Sequence, residues 1–71
     1  MNMEYIIIIE KSKNGFGAYA PDFPGVGVVG DTKQEVIKLI KKSIKMHIKE
    51  ITDTGNKIPK PTTEIMKLDV A

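Results

Sequence analysis

The side chains that could carry out chemistry in this chain are one histidine, scattered carboxylates and a set of lysines. His47 is the only histidine, and the chain has no cysteine. Hydrolytic or zinc chemistry would require further groups to converge on His47. Because His47 falls among isoleucines on the apolar side of a predicted helix, we interpret it as a partly buried structural residue. We therefore predict no catalytic residue, no metal site and no cofactor.

The carboxylates leave a second interpretation open, a magnesium-dependent nuclease. Such a site needs several carboxylates that converge at neighbouring strand ends. A turn and a helix cap account for Asp31 and Glu35, and a turn between two prolines accounts for Asp22. A nuclease is therefore the less favoured interpretation. Its candidate ligands would be Glu10, Asp22, Asp31, Glu35 and Glu64.

The lysines of the predicted helix leave a third interpretation open, an RNA-binding module. They fall on the side of the helix opposite to its apolar stripe, where they could follow nucleic-acid phosphates. No arginine and no interleaved aromatic residue accompanies them, so we favour a solvated helix face. These residues are Lys38, Lys41, Lys42, Lys45 and Lys49.

Length and composition restrict the class of protein. A chain of 71 residues forms one domain, which we place at residues 1–71. Its longest apolar run is far shorter than the roughly 20 residues that span a membrane. The absence of cysteine fits a reducing cytoplasm, where we expect the protein. The net charge of +2 is too small to indicate nucleic-acid binding by itself.

The first half of the sequence predicts three strands. Residues 4–11 contain four consecutive isoleucines and form the first strand, and residues 16–20 form the second. Asn14 and Gly15 predict a type I′ hairpin turn between them. On the second strand, small alanines alternate with Tyr19, so we place a helix against the alanine side.

A single long helix follows the third strand, which we place at residues 26–29. Thr32 and Glu35 match a capping box, in which each side chain accepts a hydrogen bond from the backbone of the other residue. The helix is expected to end near Thr54, with Gly55 as its left-handed cap. Its apolar stripe consists of Val36, Ile37, Ile40, Ile44, His47, Ile48 and Ile51.

Residues 64–70 alternate between apolar and charged side chains, which predicts a half-buried fourth strand. The predicted order is β-β-β-α-β, an α+β fold with one helix on one face of a small mixed sheet. One helix covers only one face of such a sheet. An uncovered apolar face usually marks an interface, so we predict a homo-oligomer or another protein partner at that face.

The Pro21–Pro24 corner holds a phenylalanine, Phe23, in a loop between two prolines. Two arrangements are open. The ring folds back onto the core, or it protrudes as a rigid recognition element whose ordering cost on binding is already reduced.

Taken together, these motifs resemble the HicB antitoxin family over nearly the whole chain. The resemblance rests on Gly15-Phe16-x-Ala18-x-x-Pro21-Asp22-Phe23-Pro24-Gly25, on Gly30-Asp31-Thr32-x-x-Glu35, on the helix with His47, and on Gly55-x-x-Ile58-Pro59-x-Pro61. It implies a partial ribonuclease H-like fold and a non-enzymatic antitoxin of a toxin–antitoxin system. In that family the antitoxin binds a HicA-type mRNA interferase toxin and occludes its catalytic histidine.

If this role applies, acidic groups near the binding face would suit a basic toxin, and aromatic side chains would anchor the complex. Many HicB antitoxins carry a C-terminal DNA-binding domain, whereas this sequence ends at Ala71, so we do not expect DNA binding. The candidate partner-binding residues are Glu10, Phe16, Tyr19, Asp22, Phe23 and Asp31.

Overall fold

The computed structural model describes residues 3–71 and contains a three-stranded antiparallel sheet and one helix. The strands are β1 (Ile8–Ser12), β2 (Gly15–Tyr19) and β3 (Gly27–Gly30), and helix α1 (Lys33–Asp53) follows them. The sheet order is β1-β2-β3, with both pairs antiparallel. The predicted α+β class is confirmed, but the sheet is purely antiparallel rather than mixed.

The core lies between β2 and α1. Ala18 of β2 is buried and packs with Val36 and Ile40 of the helix, which are 0% and 2% exposed. Ala18 stands opposite Ile9 on one neighbouring strand and Val28 on the other. A small side chain in the central strand lets the helix lie close, so the predicted position of the helix is confirmed.

The N-terminus of α1 is capped largely as predicted. The hydroxyl oxygen of Thr32 accepts a hydrogen bond from the Glu35 N–H at 3.1 Å. The Glu35 carboxylate accepts from the Asp31 N–H, also at 3.1 Å, rather than from the Thr32 N–H that we expected. The Glu35 side chain therefore ties the helix to the residue before its cap.

The C-terminus of α1 closes in a Schellman motif. Gly55 has a φ of +78° and donates its N–H to the Thr52 carbonyl. The Asn56 N–H donates to the Ile51 carbonyl at 3.0 Å. The predicted left-handed cap at Gly55 is confirmed. No helix in the described part of the chain is both long and apolar enough to cross a bilayer.

One member of the predicted apolar stripe is exposed and not buried as we expected. Ile37 is 44% exposed, although its neighbour Val36 is fully buried. The helix lies over β2 and β3 rather than β1, so the side of the stripe that carries Ile37 overhangs the edge of the sheet.

The hairpin turn differs from the predicted one. Ser12 pairs with Gly15, so the loop residues are Lys13 and Asn14, and neither has a positive φ. The prediction of a type I′ turn at Asn14 and Gly15 is wrong. Gly15 is needed for another reason, because a Cβ atom on it would overlap the carbonyl oxygen of Gly30.

The prediction of a fourth strand at residues 64–70 is also wrong for this structure. Residues 64–70 pair with no strand in the described chain, and their large apolar side chains are between 63% and 83% exposed. Alternation suits a strand, but a strand needs a neighbour to accept its backbone hydrogen bonds. The finer ribonuclease H-like assignment, which includes that strand, stays a prediction.

Candidate partner-binding face

Strand register defines a sheet face that the helix does not cover. Directly opposite residues of paired strands share a face, so the neighbours of Ala18 along β2 point away from α1. Tyr19 is 44% exposed there, and Val29 is 81% exposed. We call this surface the open face. Its two rows are Ile8, Tyr19 and Gly27, and Glu10, Gly17 and Val29.

A shallow depression of about 600 Å³ lies at the hairpin end of the open face. Gly17 lies between Glu10 and Val29 in the register, and it leaves their row without a central side chain. Glu10 and Asp31 both line the depression, and both are exposed. The depression therefore has acidic side chains at its border and a glycine at its centre, and it can receive a basic side chain from another protein.

The proline corner sends its phenylalanine inward. Phe23 is 1% exposed, and its ring meets the Tyr5 ring edge-on with centroids 4.6 Å apart. His47 lies on another side of Phe23, with centroids 6.0 Å apart and planes at 88°. The first of the two open arrangements is therefore correct, and His47 is a partly buried residue that supports this aromatic cluster.

Asp22 fastens the C-terminal segment to the same corner. Its Oδ1 accepts hydrogen bonds from the Thr63 hydroxyl at 2.8 Å and the Thr62 hydroxyl at 3.1 Å. Nearby, the Tyr5 hydroxyl donates to the Pro59 carbonyl. We call the contacts of Asp22 with Thr62 and Thr63 the clasp. It joins residues about forty positions apart in the chain.

The clasp sets the ionisation of Asp22. Partial burial raises the pKa of this carboxyl, but hydrogen bonds from Thr63 and Thr62 outweigh that effect and hold the pKa below its ordinary value. Oδ2 of the same carboxylate is buried without a partner. A charged Asp22 thus favours the clasp, and protonation weakens it.

The six candidate partner-binding residues separate into two groups. Glu10, Tyr19 and Asp31 lie exposed on the open face or at its rim, where a partner can reach them. The others are engaged within the chain. Phe23 is buried, Asp22 holds the clasp, and the half-buried Phe16 packs against the core even though it contributes to the lining of the depression.

The remaining candidates for chemistry stay apart. Within residues 3–71, no three histidine, aspartate or glutamate side chains come close enough to hold a metal ion. The helical lysines are all exposed, as predicted. Two of them, Lys41 and Lys45, border an apolar groove between α1 and the segment that leads into β1.

Sequence reasoning missed Val29 as an open-face residue. Residues 26–29 are rich in valine, and we did not assign faces within that strand. The signal was present, because Val28 and Val29 are adjacent and must point to opposite sides of the sheet. Only the register shows that Val29 is the exposed one, since it pairs with Gly17.

A family model described as "HicB_like antitoxin of bacterial toxin-antitoxin system" matches residues 5–69. The match begins at Tyr5 of the aromatic cluster and includes the open face, the clasp and most of the C-terminal segment. It therefore covers every element of the candidate site described above.

Two curated relatives are similar to this chain. An uncharacterised 14.9 kDa protein of Haemophilus phage HP1 is 36% identical over 58 residues, which are 82% of this chain and 44% of the phage protein. The UPF0150 protein Ta0767 of Thermoplasma acidophilum is 33% identical over 63 residues, which are 87% of this chain and 91% of that protein. The chain thus spans less than half of the phage protein's length. No solved structure gives a significant match.

Proposed function

Because the chain belongs to the HicB-like antitoxin family, we propose that it binds a HicA-type mRNA interferase toxin and neutralises it by covering its active site. The open face is the surface that we assign to this contact. The protein acts as a binding partner and not as a catalyst, and residues 1–71 form one cytoplasmic binding domain.

The observation that carries this proposal is the distribution of charge between the two layers. The chain has a net charge of +2, yet Glu10 and Asp31 border the depression on the open face. The helical lysines belong to the other layer. An enzyme that cuts RNA needs a basic surface to hold phosphates, and a depression with an acidic border complements such a surface. Net charge alone therefore understates how well this chain suits a basic partner.

The open face is suited to masking because its side chains belong to paired strands. Tyr19 lies between Ile8 and Gly27 in the register, so its backbone is already held before a partner arrives. Little conformational freedom is lost on binding such a surface. Tyr19 and Glu10 lie on this face in neighbouring rows, and Asp31 lies farther along at the hairpin end, so one rigid surface offers an apolar anchor and charge contacts.

The test is co-purification with the product of the neighbouring small gene, followed by titration of its RNA cleavage. We expect a stable complex and loss of cleavage. Reversing both charges in Glu10→Lys with Asp31→Lys should weaken binding by about 10–100-fold, since two charge contacts of roughly 1 kcal/mol or more are lost. Tyr19→Ala should weaken it by a similar factor.

Glu50→Lys is the matched control for Glu10→Lys tested alone, because both make the same charge change and Glu50 is exposed on α1. It should leave binding unchanged. Equal weakening by Glu50→Lys would show that only net charge matters, and absence of any complex with the wild-type chain would overturn the proposal.

The second candidate function is RNA binding through the helical lysines. It is favoured by one observation, that all of them are exposed along a single helix. Binding through phosphate contacts must fall steeply between about 50 and 200 mM salt. Fluorescence anisotropy with labelled RNA measures this slope, and Lys42→Ala with Lys49→Ala should reduce it. A flat response to salt would exclude this function.

A further inference from the structure

An apolar groove lies beside the start of β1 and the residues that lead into it, because the helix does not cover that edge of the sheet. Helix α1 packs over β2 and β3, which leaves the helix side of β1 open. The groove has a volume of about 470 Å³, and Lys41 and Lys45 border it. Its apolar lining consists of Met3, Tyr5, Ile7, Ile9, Ile37, Ile40, Ile44 and Ile48.

Next to this groove, residues 3–7 pair with no strand in the described chain, and β1, which follows them, presents a free strand edge. It is the first strand of the order β1-β2-β3 and pairs only with β2 in the described chain. An edge of unpaired N–H and C=O groups beside an apolar groove accepts another strand readily. The occupant has to supply both backbone hydrogen bonds and apolar side chains on one side.

The C-terminal segment of this chain has those properties. After the clasp, residues 64–70 pair with nothing in the described chain. Met66, Leu68 and Val70 recur at alternate positions and are 79%, 70% and 83% exposed. The molecule measures 46 × 29 × 20 Å, and its radius of gyration of 13.8 Å exceeds the ~11 Å of a compact chain of this length. We call residues 64–70 the tail.

We propose that the tail of a second copy of this chain pairs with the segment from Met3 to Ile9, which includes the start of β1, and inserts Met66, Leu68 and Val70 into the groove, and that the exchange is reciprocal. Lengths agree, because the groove follows alternate residues from Met3 to Ile9 and the tail supplies alternate residues from Glu64 to Val70. Charges agree as well, since Glu64 shares the apolar side of the tail and the groove carries lysines at its border.

The area favours a second copy as the occupant. Two exchanged tails carry six groove-facing apolar side chains, and two grooves receive them. Covering these surfaces removes on the order of 1,000–2,000 Å², which is the range of a stable interface. Reciprocal exchange also closes the assembly as a two-fold dimer and leaves neither tail exposed.

This inference concerns a different surface from the open face and does not rest on the proposed antitoxin function. The test uses the protein alone, so its failure and the failure of toxin binding are distinguishable. Light scattering after size exclusion should give twice the 7.9 kDa mass of one chain. A mass of 7.9 kDa at all concentrations up to millimolar would overturn the proposal.

Substitutions separate the tail and the groove. Leu68→Asp should return the mass to that of one chain, whereas Lys67→Asp places the same carboxylate on the opposite side of the tail and should leave the dimer intact. On the groove side, Ile37→Glu should also give the single chain. Leu39→Glu is its control, because Leu39 is similarly exposed, at 36%, and does not line the groove. A dimer that survives both Leu68→Asp and Ile37→Glu would contradict the proposed interface.

Isotope-filtered NMR distinguishes exchange of tails between copies from folding of a tail onto the groove of its own chain. A mixture of labelled and unlabelled chains should show contacts from the Leu68 methyl groups of one copy to the Ile37 and Ile44 methyl groups of the other. Contacts that occur only within one copy would overturn the exchange.

Discussion

Strand β2 and the tail have similar alternating patterns but opposite outcomes. In β2, Ala18 is 3% exposed and has strands paired on both sides. In the tail, Leu68 is 70% exposed and has no strand beside it among residues 3–71 of its own chain. The two segments differ in their neighbours, because β2 lies between two strands and the tail does not. Alternation therefore indicates which side chains are suited to burial. The rest of the fold determines whether a site exists that can bury them.

The two segments are joined through the aromatic corner. Phe23 follows β2 closely and packs against Tyr5 and His47, and the clasp next to it holds the start of the tail. Substitutions on either side of this corner should separate what the core contributes to stability from what the C-terminal segment contributes.

The largest effect is expected at the aromatic cluster. Phe23→Ala removes a ring that is 1% exposed, and such truncations lower the free energy of unfolding by about 3–5 kcal/mol. Leu68→Ala, measured in dilute solution where the chain is alone, should change it by less than about 0.5 kcal/mol. Urea unfolding followed by circular dichroism gives both values. If Phe23→Ala unfolds the domain outright, Phe23→Leu should give an intermediate loss, and a loss from Leu68→Ala as large as that from Phe23→Leu would break the comparison.

The next largest loss of stability is expected at Gly15, and it should distinguish this glycine from Gly17 in the same strand. A Cβ atom on Gly15 would overlap the Gly30 carbonyl oxygen, whereas one on Gly17 would lie 3.6 Å from the Val28 carbonyl oxygen, an ordinary contact. Gly15→Ala should therefore destabilise the fold by about 1–3 kcal/mol or more. Gly17→Ala should be within about 1 kcal/mol of the wild type while it fills the open-face depression. Thermal unfolding of both variants tests this difference, and equal destabilisation by both would refute the close approach of Gly15 and Gly30.

A smaller effect is expected at the helix cap. Thr32→Ala leaves the Glu35 N–H without its side-chain acceptor, which costs about 1 kcal/mol of stability. Thr32→Ser keeps the acceptor and should recover most of the loss. Chemical denaturation compares the three chains. A loss that Thr32→Ser fails to recover would assign the effect to the lost methyl group and not to the hydrogen bond.

The smallest effect is expected from the clasp, and it depends on pH. Hydrogen bonds hold the pKa of Asp22 below its ordinary value, so the folded chain favours the charged form. The resulting stabilisation is present above the ordinary aspartate pKa of about 4 and is lost as the pH falls through the lower pKa of the folded state. The difference in melting temperature between the wild type and Asp22→Asn should therefore shrink as the pH falls below about 4. A difference that stays constant from neutral to acidic pH would contradict the role of the charge.

The parts of the fold that were predictable depend on residues close together in the chain. The Thr32 cap is confirmed because it needs a residue only three positions away, and the hydrogen bonds that close the helix around Gly55 span five positions or fewer. The position of α1 against the alanine side of β2 also followed from one strand's alternation. In the candidate site, the exposure of Tyr19 was predicted and Glu10 and Asp31 were placed near the binding face, but the depression that Glu10 and Asp31 share needed the register.

What the sequence determined by itself was the helix with both of its ends, the alternation of the strands and the family resemblance, because each depends on local geometry or on a motif. The tertiary structure alone decided that Phe23 points inward, that Gly15 must approach Gly30, and that Asp22 holds the distant Thr62 and Thr63. Within the part of the chain that the structure describes, it also left the tail without a strand to pair with. These outcomes depend on which distant groups share a site, and the free energy of such contacts exists only once the chain has brought them together.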